Sequence, residues 1–99
     1  MTYQVRFTKT ARDDLKGLYL FLVERDLHVA NYALTSINKA LKLLETFPFT
    51  CRKAKTDTPF LRELIISFGT YGYVALFEIE ENEIVTVLAV RHQREDDYR

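Results

Sequence analysis

The residues best suited to chemistry or to binding form the run Arg91-His92-Gln93-Arg94, here called the C-terminal basic cluster. Each arginine supplies a guanidinium that stays charged at any physiological pH. The histidine between them can serve as an acid or a base near neutral pH. The arginines can contact a binding partner, or they can pair with the acidic residues at positions 95–97. Surface ion pairs of that kind contribute only about 0–1 kcal/mol to the stability of the fold, so pairing alone gives little reason for the arginines. We therefore look for function first at this cluster.

Further candidate residues lie upstream, in apolar runs. Arg62 can contact a partner, or it can form an ion pair inside a sheet, for which Glu78 is the expected acid. Tyr73 can stack on a nucleic-acid base, although aromatic residues in strands usually belong to the core. Cys51 is not predicted to be a nucleophile, because the sequence places no histidine or asparagine partner beside it.

The second half of the chain is predicted to be the sheet that positions these side chains. Three β-rich runs, at 61–66, 71–79 and 84–95, are separated by short breaks, and Asn82 supplies the last hairpin turn. Runs of this length and β-branched content predict an antiparallel meander. The last run carries its charged residues at one end, so we expect the C-terminal basic cluster at a strand end.

The first half is predicted to pack on one face of that sheet. Alternating apolar residues at positions 3, 5 and 7 indicate a short strand, and Thr8 or Thr10 can cap the helix that follows. Apolar residues at helical spacing then predict two helices, with stripes at Ala11, Leu15, Leu18 and Leu22, and at Ala30, Ala33, Leu34, Ile37, Leu41 and Leu44. The connection near Asp26 is short, so the helices should form an antiparallel hairpin, which Phe47-Pro48 ends.

The stretch 49–59 has no apolar period and is rich in basic residues, so it is predicted to be a loop of about a dozen residues. The expected fold class is α+β, in the order β-α-α-β-β-β. The N-terminal strand and an antiparallel helical hairpin pack on a small antiparallel sheet, and residues 1–99 form a single domain. The second face of the sheet should be less completely covered.

Composition narrows the functional classes. The 99 residues are 47% hydrophobic and carry no net charge, which argues against a dedicated nucleic-acid binder, since such proteins usually have a basic excess. The single cysteine cannot form an internal disulfide, and no apolar run reaches membrane-spanning length. We therefore expect a cytoplasmic protein with no membrane partner, and nothing in the sequence calls for a metal or another cofactor.

Several segments, in a characteristic order and spacing, resemble a known family. They are Tyr3-Gln-Val-Arg-Phe-Thr with Ala11 and Leu15, the helix end Leu-x-x-Phe-Pro at 44–48, Leu61-Arg62-Glu63-Leu64, the segment 72–77 (Gly-Tyr-Val-Ala-Leu-Phe), and the closing run 87–94. Together they resemble the RelE/ParE superfamily of bacterial type II toxin–antitoxin toxins over nearly the whole chain. The resemblance implies a small toxin that a cognate antitoxin holds inactive in a hetero-oligomer, by wrapping it with a flexible segment.

The resemblance also implies two possible targets. RelE-like members cut mRNA in the ribosomal A site without a metal, whereas ParE-like members bind and poison DNA gyrase and catalyse no reaction. Carried over from RelE-like enzymes, the catalytic candidates are Arg62, Arg91, Arg94 and Tyr98. The arginine that follows Gly-Tyr in those enzymes falls here on Val74, and a valine cannot stabilise a phosphate.

The absent arginine at Val74, the neutral net charge and the Val-Arg-His-Gln-Arg-Glu ending favour a ParE-like gyrase inhibitor. The target-binding candidates are then Arg91, His92, Arg94, Arg62 and Tyr73. The alternatives are a ribosome-dependent mRNA endoribonuclease and a folded module that binds an antitoxin-like partner but has lost toxicity. On the helices, Phe21, Val23 and Tyr32 lie off the main stripes, so we expect antitoxin residues or a second copy to cover part of this apolar surface.

Overall fold

The computed structural model describes residues 2–55, 57–69 and 71–93. Over these ranges the chain forms β1 (Gln4–Phe7), α1 (Lys9–Val23), α2 (Leu27–Lys42), β2 (Arg52–Lys55), β3 (Thr58–Phe68), β4 (Tyr71–Glu80) and β5 (Ile84–His92). Two 3-10 turns, Leu43–Glu45 and Pro48–Thr50, connect α2 to β2. The α+β class, the helical hairpin and the three-stranded meander are confirmed. In the described part of the chain, neither helix has the length and apolar character needed to cross a membrane.

The strands form one sheet in the order β1-β5-β4-β3-β2. The pairs β5–β4, β4–β3 and β3–β2 are antiparallel. β1 runs parallel to β5, with Gln4 opposite Ile84 and Phe7 opposite Val87. Parallel neighbours need a crossover connection, and here the helical hairpin begins that crossover. The first and last strands of the described residues therefore lie side by side.

The predicted loop at 49–59 is wrong, because residues 52–55 form the edge strand β2 and residues 48–50 form a 3-10 turn. β2 pairs antiparallel with β3, with Arg52 opposite Glu63, and the register shifts between Lys53 and Lys55. Arg52, Lys53 and Lys55 are all exposed, so the strand has no apolar period by which the sequence could reveal it. Charged residues are typical of sheet edges, where they discourage pairing with a second chain.

Both helices begin at a side-chain cap. The Thr8 hydroxyl accepts a hydrogen bond from the Ala11 N–H at 3.1 Å, so Thr8 rather than Thr10 caps α1. The Asp26 carboxylate accepts from the N–H groups of His28 and Val29, which caps α2 immediately after the hairpin turn. The caps satisfy N–H groups that have no partner within the helix, and they fix where each helix starts.

The core lies between the helical hairpin and one face of the sheet. The predicted stripes pack there, with Ala11, Ala33, Ile37 and Leu41 buried and Leu15, Leu18 and Leu22 partly buried against them. The sheet contributes the alternating residues Leu64, Ile66, Tyr73, Ala75, Phe77, Ile79, Val85, Val87 and Val90. On β3, Ile65 and Ser67 point away from the helices and are exposed, as expected for the less covered face.

Candidate functional site

The described part of the C-terminal basic cluster lies at the end of β5, where the strand loses its neighbour on one side. β1 ends at Phe7, which is paired with Val87, so within the described residues the later part of β5 has no strand beside it on that edge. Leu88 is an extra residue at this point, because Phe77 pairs with Val87 while Leu76 pairs with Ala89. A bulge of this kind bends a strand and changes the direction of the side chains beyond it.

The start of α1 takes the place of the missing strand. The Thr8 N–H donates to the Val87 carbonyl at 3.0 Å, and the Thr8 hydroxyl donates to the Leu88 carbonyl at 3.1 Å. Further along, the Val90 N–H donates to Oδ2 of Asp14 at 3.0 Å. The Thr8 backbone and the side chains of Thr8 and Asp14 thus satisfy backbone groups that a neighbouring strand would otherwise bind. These bonds hold α1 against the edge of β5.

Arg91 is anchored by the same carboxylate. Its guanidinium lies 2.6 Å from Oδ1 of Asp14, and the side chains are 28% and 16% exposed, respectively. A short ion pair that is partly shielded from water orients both partners better than an exposed surface pair does. Asp14 is not among the candidate residues that the sequence singled out. The available signal was its position three residues after buried Ala11, at the border of the apolar stripe.

His92 follows Arg91 and faces the other way. It pairs in register with Tyr73, and the two rings meet edge to face with centroids 5.6 Å apart. The next residue, Gln93, donates its N–H to the Gly72 carbonyl at 2.7 Å, which holds the end of β5 against β4. Arg94, a target-binding candidate, and Tyr98, a catalytic candidate, lie outside the described residues.

Tyr73 belongs to the core. It is 3% exposed, and its ring also packs against Phe68 at 5.9 Å. Burial raises the pKa of the phenol above its ordinary value. The side chain offers almost no surface to a partner and instead packs against His92. That Tyr73 binds a target stays a prediction, which this burial does not favour.

Arg62 donates hydrogen bonds to nearby backbone carbonyls. Its guanidinium donates to the carbonyls of Pro59 at 2.6 Å, Cys51 at 2.9 Å and Phe49 at 3.2 Å, and it lies over the Phe49 ring at 5.4 Å. The expected pairing with Glu78 is wrong. Glu78 is opposite Leu61 in register, so its side chain lies on the other face of the sheet from Arg62.

Arg62 and Arg91 are not brought into one site. Arg62 is opposite Phe77 and Arg91 is opposite Val74, so they start from opposite faces of the sheet. The three-residue offset along β4 separates them by about 10 Å in the strand direction, at roughly 3.3 Å per residue.

Cys51, beside Arg62, has a pKa raised mainly by burial, although the charge of Arg62 opposes the shift. A thiol in that state is a poor nucleophile.

Apolar side chains also lie exposed on the helical hairpin. Phe21 and Tyr32 are 54% and 68% exposed, whereas Val23 is half-buried. The guanidinium carbon of Arg25 lies 3.9 Å from the centroid of the Phe21 ring and covers one of its faces. The rings of Tyr32 and Phe68 are in contact, with their centroids 5.4 Å apart. Large apolar side chains outside the core are common at partner surfaces. The surface formed by Phe21, Val23 and Tyr32 is called the outer helical surface below.

Comparisons with known proteins give a family match and several structures with a similar fold. The family model described as "ParE toxin of type II toxin-antitoxin system, parDE" matches residues 5–97. Comparison with curated protein sequences gives no match. A chain of the chromosomal ParDE system of Pseudomonas aeruginosa is similar in structure, with TM-score 0.72 and 18% identity over 92% of this chain and 96% of that chain.

Two further solved structures share the fold. One is the RelBE2 toxin–antitoxin complex of Mycobacterium tuberculosis, with TM-score 0.61 and 24% identity over 93% of this chain and 99% of that chain. The other is a mutant of the Escherichia coli toxin RelE in the free state, with TM-score 0.62 and 16% identity over 92% and 83% of the two chains. The family match covers most of the sequence, and the chain belongs to the ParE toxin family of type II toxin–antitoxin systems, within the RelE/ParE superfamily.

Proposed function

We propose that this toxin inhibits growth by binding and poisoning DNA gyrase in the cytoplasm, without catalysing a reaction, and that a cognate antitoxin neutralises it. The family match supports a ParE-like protein. The ParE-like features of the sequence, among them Val74 and the ending that follows Val90, support gyrase as the target.

The separation of Arg62 from Arg91 carries this proposal. Metal-free RNA cleavage needs groups that activate the ribose hydroxyl, stabilise the phosphate and protonate the leaving oxygen, all within hydrogen-bond reach of one phosphate. Arg62 and Arg91 begin on opposite faces of the sheet, and each already bonds within the protein. Val74, which is opposite Arg91 and 8% exposed, adds no charge there. This arrangement favours binding over catalysis.

The proposed target contact is the end of β5. Arg91 remains partly exposed while Asp14 orients it, and a partly shielded arginine of this kind is a common anchor in protein interfaces. His92 and Arg94 would extend the contact along the chain. Arg62 and Tyr73 are left out of the proposed interface, because one binds local carbonyls and the other is buried.

The deciding experiment compares purified protein in two assays, a gyrase supercoiling reaction and a reconstituted translation reaction. We expect loss of supercoiling or trapped cleaved DNA, with translation and mRNA intact. Arg91→Ala should weaken the inhibition, while Lys39→Ala, which removes an exposed positive charge from α2, should not. Codon-phased mRNA cuts with gyrase unaffected would replace the proposal with the ribonuclease alternative. Activity in neither assay would identify a module that only binds its antitoxin-like partner.

The outer helical surface is the proposed site at which antitoxin residues cover apolar side chains. Phe21 and Tyr32 supply the exposed rings. Free protein should therefore bind an environment-sensitive apolar dye, or self-associate at micromolar concentration in analytical ultracentrifugation. A strictly monomeric protein that binds no dye would contradict this role.

A further inference from the structure

Asp14 uses both of its carboxylate oxygens on consecutive residues of β5. Oδ2 accepts the Val90 N–H at 3.0 Å, and Oδ1 contacts the Arg91 guanidinium at 2.6 Å. The first bond fixes the carboxylate against the strand backbone, and the second fixes the arginine against the carboxylate. Asp14 thus couples the direction of the Arg91 side chain to the backbone from which it projects.

The carboxylate is a rigid reference point because α1 is itself anchored nearby. Thr8 caps the helix and bonds to the Leu88 carbonyl, and Ala11 is fully buried against the core. Asp14 lies one turn further along the same helix and is mostly shielded from solvent. Its position is therefore set by the packing of α1 on β5, and not by the ion pair alone.

Arg91 without this partner would be a long side chain with many accessible rotamers, and ordering it on a target would cost conformational entropy. A guanidinium has five N–H donors in a planar fork. Among the described residues Asp14 contacts one terminal nitrogen of Arg91, which leaves further donors on the partly exposed side of the group. This geometry suits a second anion, either a carboxylate or a phosphate.

We propose that Asp14 is a positioning residue, which holds Arg91 in the conformation that binds an anionic group of the target. This inference rests on the proposed function, since it takes Arg91 to be a target contact. It assigns a role in binding to a residue of α1 that lies far from the C-terminal basic cluster in sequence.

The test is a double-mutant cycle in the supercoiling assay. Asp14→Asn can still accept the Val90 N–H but cannot pair with a guanidinium, so we expect about a tenfold higher concentration for half-inhibition, which corresponds to about 1.4 kcal/mol. Asp13→Asn is the matched control. It makes the same chemical change one position earlier, at an exposed carboxylate paired with Lys9 at 2.9 Å, and should inhibit like the wild type.

The double variant Asp14→Asn with Arg91→Ala distinguishes positioning from a structural role. If Asp14 acts through Arg91, the double variant should be no weaker than Arg91→Ala alone. A purely structural Asp14 would weaken both backgrounds equally, and that result would overturn the proposal. If Asp14→Asn inhibits like the wild type while Arg91→Ala inhibits more weakly, the proposal for Asp14 is also overturned. Arg91 would then remain a target contact. Wild-type inhibition by both variants would refute it too.

A second readout does not depend on the target. The guanidinium protons of Arg91 should exchange slowly with solvent in NMR spectra of the wild type and of Asp13→Asn, and rapidly in Asp14→Asn. Unchanged exchange in Asp14→Asn would overturn the proposal whatever the protein inhibits. If wild-type protein leaves gyrase active but stops translation, the proposed target is wrong, and the same cycle in the translation assay still tests Asp14.

Discussion

Substitution of Gly72 tests the geometry that holds the end of β5 in place. Gly72 has a φ of +132°, and a Cβ at this position would lie 2.2 Å from the Ile66 carbonyl oxygen. It would also lie 3.2 Å from the Ile66 carbonyl carbon and from the Phe68 nitrogen. These are backbone atoms of β3, which pairs with β4 here, so they cannot move away without disturbing the ladder.

The cost of Gly72→Ala follows from two contributions. Holding an L-residue at this φ costs about 1–3 kcal/mol, and forcing a methyl group into filled space costs about 1–3 kcal/mol more. A loss of roughly 4 kcal/mol is a large share of the 5–15 kcal/mol by which domains are stable. At about 4–8 °C for each kcal/mol in a domain near this size, the melting temperature should fall by on the order of 20 °C.

Thermal unfolding followed by circular dichroism measures this difference, with Gly17→Ala as the matched control. Nothing lies within 4 Å of a Cβ at Gly17, which occupies the middle of α1, so the methyl group should stabilise the helix by about 0.5–1 kcal/mol. The two glycine-to-alanine changes should therefore shift the melting temperature in opposite directions. If Gly72→Ala unfolds within a few degrees of the wild type, the close approach of β3 to Gly72 is refuted.

Three further predictions concern contacts that hold the fold together. Arg62→Ala removes three hydrogen bonds from a partly solvated guanidinium, and it should lower the free energy of unfolding in urea by about 1–2 kcal/mol; an unchanged midpoint would contradict this. Thr8→Ala removes the cap of α1 and should cost about 1–2 kcal/mol, whereas Thr10→Ala should cost almost nothing, and equal losses would refute the assignment of the cap. Burial raises the pKa of Tyr73 above its ordinary value near 10, so the unfolded chain loses this proton first and stability should fall as the pH rises above about 10. Tyr73→Phe should remove that part of the alkaline loss in urea titrations at several pH values, and an identical loss in both proteins would count against it.

Local patterns in the sequence predicted most of the elements correctly. Both helical stripes pack in the core, Asp26 begins the second helix at the expected turn, and the meander has its last turn at Asn82, where φ is +62°. These features depend on residues close together in the chain, such as caps and the 3.6-residue period, and such signals are present in the sequence itself. The segments that resemble the RelE/ParE superfamily likewise led to the family.

The sequence did not reveal features that arise between distant segments. β2 lies at the exposed edge of the sheet and has no apolar period. Only its pairing with β3 identifies it as a strand. The parallel contact of β1 with β5 joins segments that are far apart in the sequence, and no local pattern encodes which edge β1 takes.

The candidate site divides in the same way. Residue types and a family resemblance identified Arg91 and His92 as the place to look for function, because charge and proton affinity belong to a side chain wherever it lies. The tertiary structure alone determined the surroundings: Asp14 beside Arg91, Tyr73 beneath His92, and Arg62 on the opposite face. Whether a charge is paired, shielded or available depends on neighbours that the fold brings from distant parts of the chain.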